Sequence, residues 1–217
     1  MKKAIILGAS GLTGSLLLQK LLALPDYEQI LVFNRKKLGV SHPKLTEYIG
    51  EVTNLTTFAN EFDAHEVFCC IGTTAKKTPD KTLYRQIDFG IPVQAAQLCK
   101  QKQINTFVVV SAMGANAKSS IFYNRTKGEM EEAVLALNIQ NTYILQPSLI
   151  VGNRNEKRFA EGFATFIMKL INPILMGGLK KYKSIEADTI AQALLVLAKT
   201  RPAMKRIESD KIKEITF

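Results

Sequence analysis

Residues 4–14 read Ala4-Ile5-Ile6-Leu7-Gly8-Ala9-Ser10-Gly11-Leu12-Thr13-Gly14, and a largely apolar run follows from Leu16 to Leu24. Four apolar residues closed by a glycine predict a buried strand, and the longer run predicts a helix. The order is strand, glycine turn, helix. Gly8 lets the chain turn sharply off the strand. Gly11 has no Cβ, so a pyrophosphate can approach the backbone, and Gly14 lets the helix pack on the sheet. The helix N-terminus then presents N–H groups and a partial positive charge to phosphate. A glycine triplet in this context is a dinucleotide fingerprint.

Outward from this stretch, the chain has 217 residues, enough for one large domain with a substantial core. The expected organisation is a single domain over 1–217, with 152–183 as a substrate-pocket or lid insertion. Hydrophobic residues make up 47% and charged residues 22%, ordinary values for a globular protein. The formal net charge of +10 favours anionic ligands. The basic residues are scattered and not interleaved with aromatics, which argues against a nucleic-acid partner and for a phosphorylated cofactor. Three cysteines, two of them adjacent at Cys69 and Cys70 on an apolar run, read as small buried hydrophobes and predict a reducing, cytoplasmic setting. No cysteine or histidine spacing suggests zinc, and His42 and His65 are expected to face solvent. The basic start, Lys2-Lys3, imitates a secretory signal, but the glycines interrupt its apolar core. No apolar stretch reaches the ~18 residues of a membrane span.

Along the chain, Gln29–Phe33, Leu45–Ile49, Val67–Ile71, Asn105–Val110 and Asn141–Gln146 read as strands, and 82–102 and 119–137 as helices. Pro92 is expected to kink the first of these helices, and Ser119 and Ser120 to cap the second. Strands alternating with helices predict an α/β fold, a Rossmann-like doubly wound parallel sheet. Ala187–Lys199 reads as an amphipathic helix, and 204–217 as an edge strand with a short final helix. The apolar stretch Phe163–Leu179 reads as part of a pocket or lid, with a membrane-surface role as a further reading.

About 20 residues beyond the glycines, NAD-binding chains carry an acid for the ribose 2′-hydroxyl. Here that place falls at Asn34, followed by Arg35 and Lys36. Cations attract a 2′-phosphate, which favours NADP(H) over NAD. Val52 follows the third strand, where a loop could cover the adenine. The fourth strand ends in Gly72-Thr73-Thr74, at the sheet edge where such folds bind ligands.

Ser111, Tyr123 and Lys127 fit a proton relay beside a nicotinamide. Tyr123 and Lys127 are four apart on one helix face. A carbonyl receiving hydride needs an acid for its oxygen. A tyrosine of ordinary pKa about 10 becomes competent when a lysine ammonium favours its phenolate. Ser111, at a strand's C-terminal end, can hydrogen-bond the substrate oxygen.

Together the Gly8-x-x-Gly11-x-x-Gly14 stretch, Ser111 and Tyr123-x-x-x-Lys127 resemble the short-chain dehydrogenase/reductase superfamily. Asn34-Arg35-Lys36, Phe68-Cys69-Cys70-Ile71-Gly72-Thr73-Thr74 and Lys118–Glu129 narrow the likeness to its atypical Tat-interacting-protein-like branch. The resemblance implies NAD(P) binding, with cofactor contacts at Gly8, Ser10, Gly11, Leu12, Thr13, Gly14, Asn34, Arg35, Lys36 and Val52. It extends them to Cys70, Ile71, Gly72, Thr73, Tyr123 and Lys127. Pro147, Ser148 and Ile150 resemble the loop beside the nicotinamide. Typical members place an asparagine in the helix before the serine-bearing strand; the corresponding neighbourhood here holds Asp88. Two functions remain open: an oxidoreductase on an unknown small molecule, or a cofactor-binding regulator with a protein partner. Monomer and homodimer are both compatible with the sequence.

Overall fold

A computed structural model describes residues 1–152 and 181–216. The glycine stretch forms the junction of strand β1 (Lys2–Leu7) and helix α1 (Leu12–Ala23). The other strands of the main sheet are β2 (Tyr27–Asn34), β3 (Leu45–Ile49), β4 (Glu66–Cys69), β5 (Thr106–Val110), β6 (Asn141–Gln146) and, near the C-terminus, β9 (Arg206–Glu208). Their order is β3-β2-β1-β4-β5-β6-β9, and every pairing is parallel. Between β1 and β4 the order reverses, so a crevice opens beyond their C-terminal ends, where doubly wound sheets bind ligands.

Side chains alternate between two cores, as a strand's period of two requires. Ala4, Ile6, Val108 and Val110 face α1 and helix α5 (Ala187–Thr200). Ile5, Leu7, Phe107 and Val109 face helices α3 (Ile91–Gln101) and α4 (Phe122–Ala136). Cys69 belongs to this second core, where burial pushes its thiol up to about 11, so it behaves as a hydrophobe and not as a nucleophile. A small second sheet pairs β7 (Ile150–Val151) with β8 (Ile185–Glu186), and helix α6 (Ser209–Glu214) closes the chain.

The expected 82–102 helix is three pieces: α2 (Lys81–Arg85), a π-helical turn (Gln86–Gly90) and α3. Pro92 supplies the reason. It has no N–H to give the carbonyl of residue 88, and its ring crowds that carbonyl. The ladder widens one turn earlier, and the Ile91 N–H bonds Gln86 O instead. Asp80 caps α2, accepting from the Leu83 N–H at 2.7 Å. Ser119 and Ser120 do not cap α4 with their side chains. Ser119 Oγ accepts from the Ile121 N–H, one residue before the helix, while both serine carbonyls accept from Arg125. His65 is exposed, but His42 is only half-exposed.

The expected insertion at 152–183, with the apolar stretch Phe163–Leu179, falls almost wholly outside the described residues. Among the described residues no helix is long and apolar enough to cross a membrane.

Candidate nucleotide and proton-transfer site

The glycine turn is tightly built. Gly8 has φ +86°, the left-handed region that glycine occupies without strain, and a Cβ there would sit 2.9 Å from the Cys70 carbonyl. A Cβ on Gly14 would lie 2.1 Å from Gly8 O. The first turn of α1 therefore lies directly on the β1 turn, and the β1 turn on the segment after β4. Among the described residues no side chain caps α1, and its first turn holds no acid, so its N-terminal N–H dipoles are available to an anion. At the end of β2, Asn34 Nδ2 is buried without a hydrogen-bond partner among the described residues. Arg35 and Lys36 beside it are exposed. A buried donor without a partner among the described residues, beside two exposed cations and near a helix N-terminus, could hold a phosphorylated nucleotide. Glu51, after β3, is held below the usual carboxylate range by two bonds from Thr53, with Arg35 adding attraction.

Val52 is positioned differently from expectation. It packs into the second core with Phe33 and Leu55, so its side chain is used for packing. Ser148 is likewise engaged: its hydroxyl donates to Lys183 O and accepts from Ser209. Pro147 O takes the Met113 N–H, and Ile150 lies in β7. This loop reaches the glycine turn, since a Cβ on Gly152 would stand 3.2 Å from the Leu12 side chain.

On the other side of the crevice, α4 brings Tyr123, Lys127 and Glu131 onto one face. Lys127 is buried, and its Nζ lies 2.8 Å from Asp88 Oδ1. Asp88, in the π turn, is fully buried, and its Oδ2 accepts the Thr73 N–H at 2.8 Å. The pair sits under Gly72, whose Cβ direction points to Asp88 Oδ1 at 3.5 Å and Lys127 Nζ at 3.7 Å. Burial alone would lower the Lys127 pKa, but the Asp88 carboxylate outweighs it and holds the ammonium charged. Tyr123 is raised above the ordinary tyrosine value. The residue is 39% exposed, and crowding by the protein on its inner side is the main cause; Lys127 opposes it and Asp88 adds to it. The lysine was expected to lower this value; desolvation first, and the buried Asp88 carboxylate after it, are what the two-residue reading left out.

Ser111 is not joined to this pair. Its Oγ donates to Glu131 Oε1 at 2.5 Å, and Gln146 Nε2 and Arg206 Nε donate to the same carboxylate. The alternation along β5 accounts for this: Val110 faces α1 and α5, so Ser111 turns to the α4 side. Glu131, eight residues beyond Tyr123 on a helix, was accessible to the same count.

The family model described as NAD(P)H-binding matches residues 8–155. The chain belongs to this NAD(P)H-binding family. Within the family it is 30% identical over 218 residues to the protein fmp52-1 of Aspergillus terreus, spanning 97% of this chain and 90% of that one. It is 30% identical over 167 residues to HTATIP2 of Rattus norvegicus, spanning 75% and 69%. Among solved structures, the UDP-glucuronic acid 4-epimerase of Bacillus cereus in complex with NAD has a TM-score of 0.71 at 15% identity, over 94% of this chain and 77% of that one. These family relatives overturn one expectation: the fmp52-1 proteins of Aspergillus terreus and Scheffersomyces stipitis are named mitochondrial, which withdraws the cytoplasmic setting. Reduced cysteines report a reducing compartment and carry no address.

Proposed function

We propose that the chain is an NADP(H)-dependent oxidoreductase that exchanges a proton with a carbonyl or alcohol of a small molecule through Tyr123. One observation carries this reading. Tyr123 and Lys127 stand on one face of α4, and the Lys127 ammonium lies under Gly72, beside the β1–β4 switch point. When bound, the nicotinamide cofactor supplies the hydride. The chain's own residues do the rest. The α1 N-terminus and the glycine turn would hold the pyrophosphate, and Ile71 to Thr73 would line the adjoining backbone. Asn34, Arg35 and Lys36 would hold the adenosine end, with the two cations selecting a 2′-phosphate. Tyr123 would hold the transferable proton, and Lys127 would stabilise the phenolate that proton loss leaves. Ser111 would reach a substrate oxygen only by giving up its bond to Glu131.

That last bond favours a second reading, binding of NADP(H) without turnover in a regulator that changes partners with its cofactor. A screen of aldehydes and ketones with NADPH separates the two. The oxidoreductase reading expects turnover that Tyr123→Phe lowers by ~10²-fold or more. Full turnover in that variant would contradict it, and NADPH binding with no turnover on any carbonyl would favour the regulator.

A further inference from the structure

We propose that Asp88 is a positioning residue that holds the Lys127 ammonium and keeps Tyr123 a protonated phenol at rest, which suits the site to carbonyl reduction. This inference rests on the oxidoreductase reading and gives it a direction.

The geometry is specific. Pro92 interrupts the helix at the carbonyl of residue 88, and the resulting π turn carries Asp88. Asp88 Oδ2 accepts the Thr73 N–H at 2.8 Å, and Oδ1, without a hydrogen-bond partner among the described residues, is in ion-pair contact with Lys127 Nζ at 2.8 Å. Neither Asp88 nor Lys127 has water access enough to screen the pair, at 0% and 4% side-chain exposure. An amide at this position would leave the lysine charge free to pull a proton off Tyr123. A carboxylate at contact distance opposes that charge in part. The other titratable groups do not restore it. Tyr84, from α2, interacts with both Asp88 and Tyr123 and is neutral; Cys69, from β4, is a buried thiol. Arg85 and Glu129 pair with each other on the outer surface.

A phenol at rest has a proton to give and cannot accept one. In the step it favours, Tyr123 would give its proton to the carbonyl oxygen, while a bound reduced nicotinamide would supply hydride to the carbonyl carbon. The alcohol leaves, and the phenolate, held by Lys127, regains a proton from water. Alcohol oxidation would need the phenolate beforehand.

The test is an ultraviolet titration of tyrosinate on nucleotide-free protein, taking the Tyr123 contribution as the difference between wild type and Tyr123→Phe. In wild type that component should titrate above the ordinary tyrosine value near 10. In Asp88→Asn, measured against Asp88→Asn with Tyr123→Phe, it should fall by at least ~1 pH unit. A wild-type midpoint at or below the ordinary value would overturn the proposal, and so would an unchanged midpoint in Asp88→Asn. Should Asp88→Asn fail to fold, Asp88→Ser and Asp88→Glu take its place: the midpoint should fall in the first and hold in the second, and equal midpoints would overturn the proposal. The titration needs no cofactor, so its failure leaves the oxidoreductase reading in place. Loss of that reading, by full turnover in Tyr123→Phe, would leave the titration unmoved.

Discussion

At the residue scale, two side chains set the character of the site. A buried carboxylate and a buried ammonium are each expensive to remove from water and become tolerable together. Replacing one alone strands the other. Lys127→Met should therefore destabilise the fold by about 3–5 kcal/mol. The double change Asp88→Asn with Lys127→Met should cost clearly less than the sum of the two single changes. Denaturant titration of the four proteins would check this, and simple additivity would deny the coupling. The glycine turn makes a different residue-scale demand. A methyl group on Gly14 would collide with Gly8 O, so Gly14→Ala should destabilise by about 1–3 kcal/mol or more and weaken nucleotide binding with it. A Gly14→Ala protein of wild-type stability would show that the helix can move away.

At the scale of elements, Glu131 ties together parts of the chain distant in sequence. It sits on α4 and accepts from Ser111 after β5, Gln146 at the end of β6 and Arg206 of β9. Losing these bonds in Glu131→Ala should cost about 2–3 kcal/mol. Arg206→Ala should cost less than about 1 kcal/mol, because the arginine is half-exposed. Thermal melts of both variants would test the ranking, and an equal or reversed ranking would contradict it. Much at this scale was legible in the sequence. The strand Leu45–Ile49 has the bounds expected of it, and the apolar run Val67–Ile71 overlaps the central strand Glu66–Cys69, which starts one residue earlier and ends two earlier. What the sequence concealed were contacts that depend on where two periodic patterns meet. The Pro92 kink was visible as a kink, but the widening that buries Asp88 depends on backbone hydrogen bonds that no residue type announces. Ser111 was visible as a serine at a strand end, and its partner is a helix residue 20 positions away.

For the whole molecule, the parallel sheet places the turns after β1, β4 and β5 on one edge, and so brings residues from Gly8 to Lys127 into one crevice. The glycine fingerprint and the alternating elements sufficed to read that architecture. Pairing of the cofactor's ends with particular side chains was legible only in part, since Val52 has the same apolar character whether it covers a ligand or fills a core. The opposite, N-terminal edge of the sheet is held by a second buried carboxylate, Glu66, which accepts from Tyr27 Oη and Lys2 Nζ. Burial first, and the bond to Glu66 second, push the Tyr27 phenol far up; Tyr84 is also raised by burial. The sign follows from linkage. Below about pH 10 both are neutral in folded and unfolded chains, and their contribution is fully present. Above that value the unfolded chain releases protons that the folded chain retains, so stability falls by about 1.4 kcal/mol per pH unit for each such tyrosine. Denaturant midpoints measured from pH 8 upward should be flat at first and drop beyond about pH 10, and Tyr27→Phe should soften the drop. A drop unaffected by that change would assign alkaline unfolding elsewhere. In the proposed function a nucleotide with a 2′-phosphate lies between the α1 N-terminus and the end of β2. Calorimetric titration with NADPH and with NADH, on wild type and on Arg35→Ala with Lys36→Ala, tests it most directly. The prediction is tighter binding of NADPH, weakened by the double change by about 10-fold or more, with NADH little affected. Binding of neither nucleotide, or equal losses for both, would contradict it.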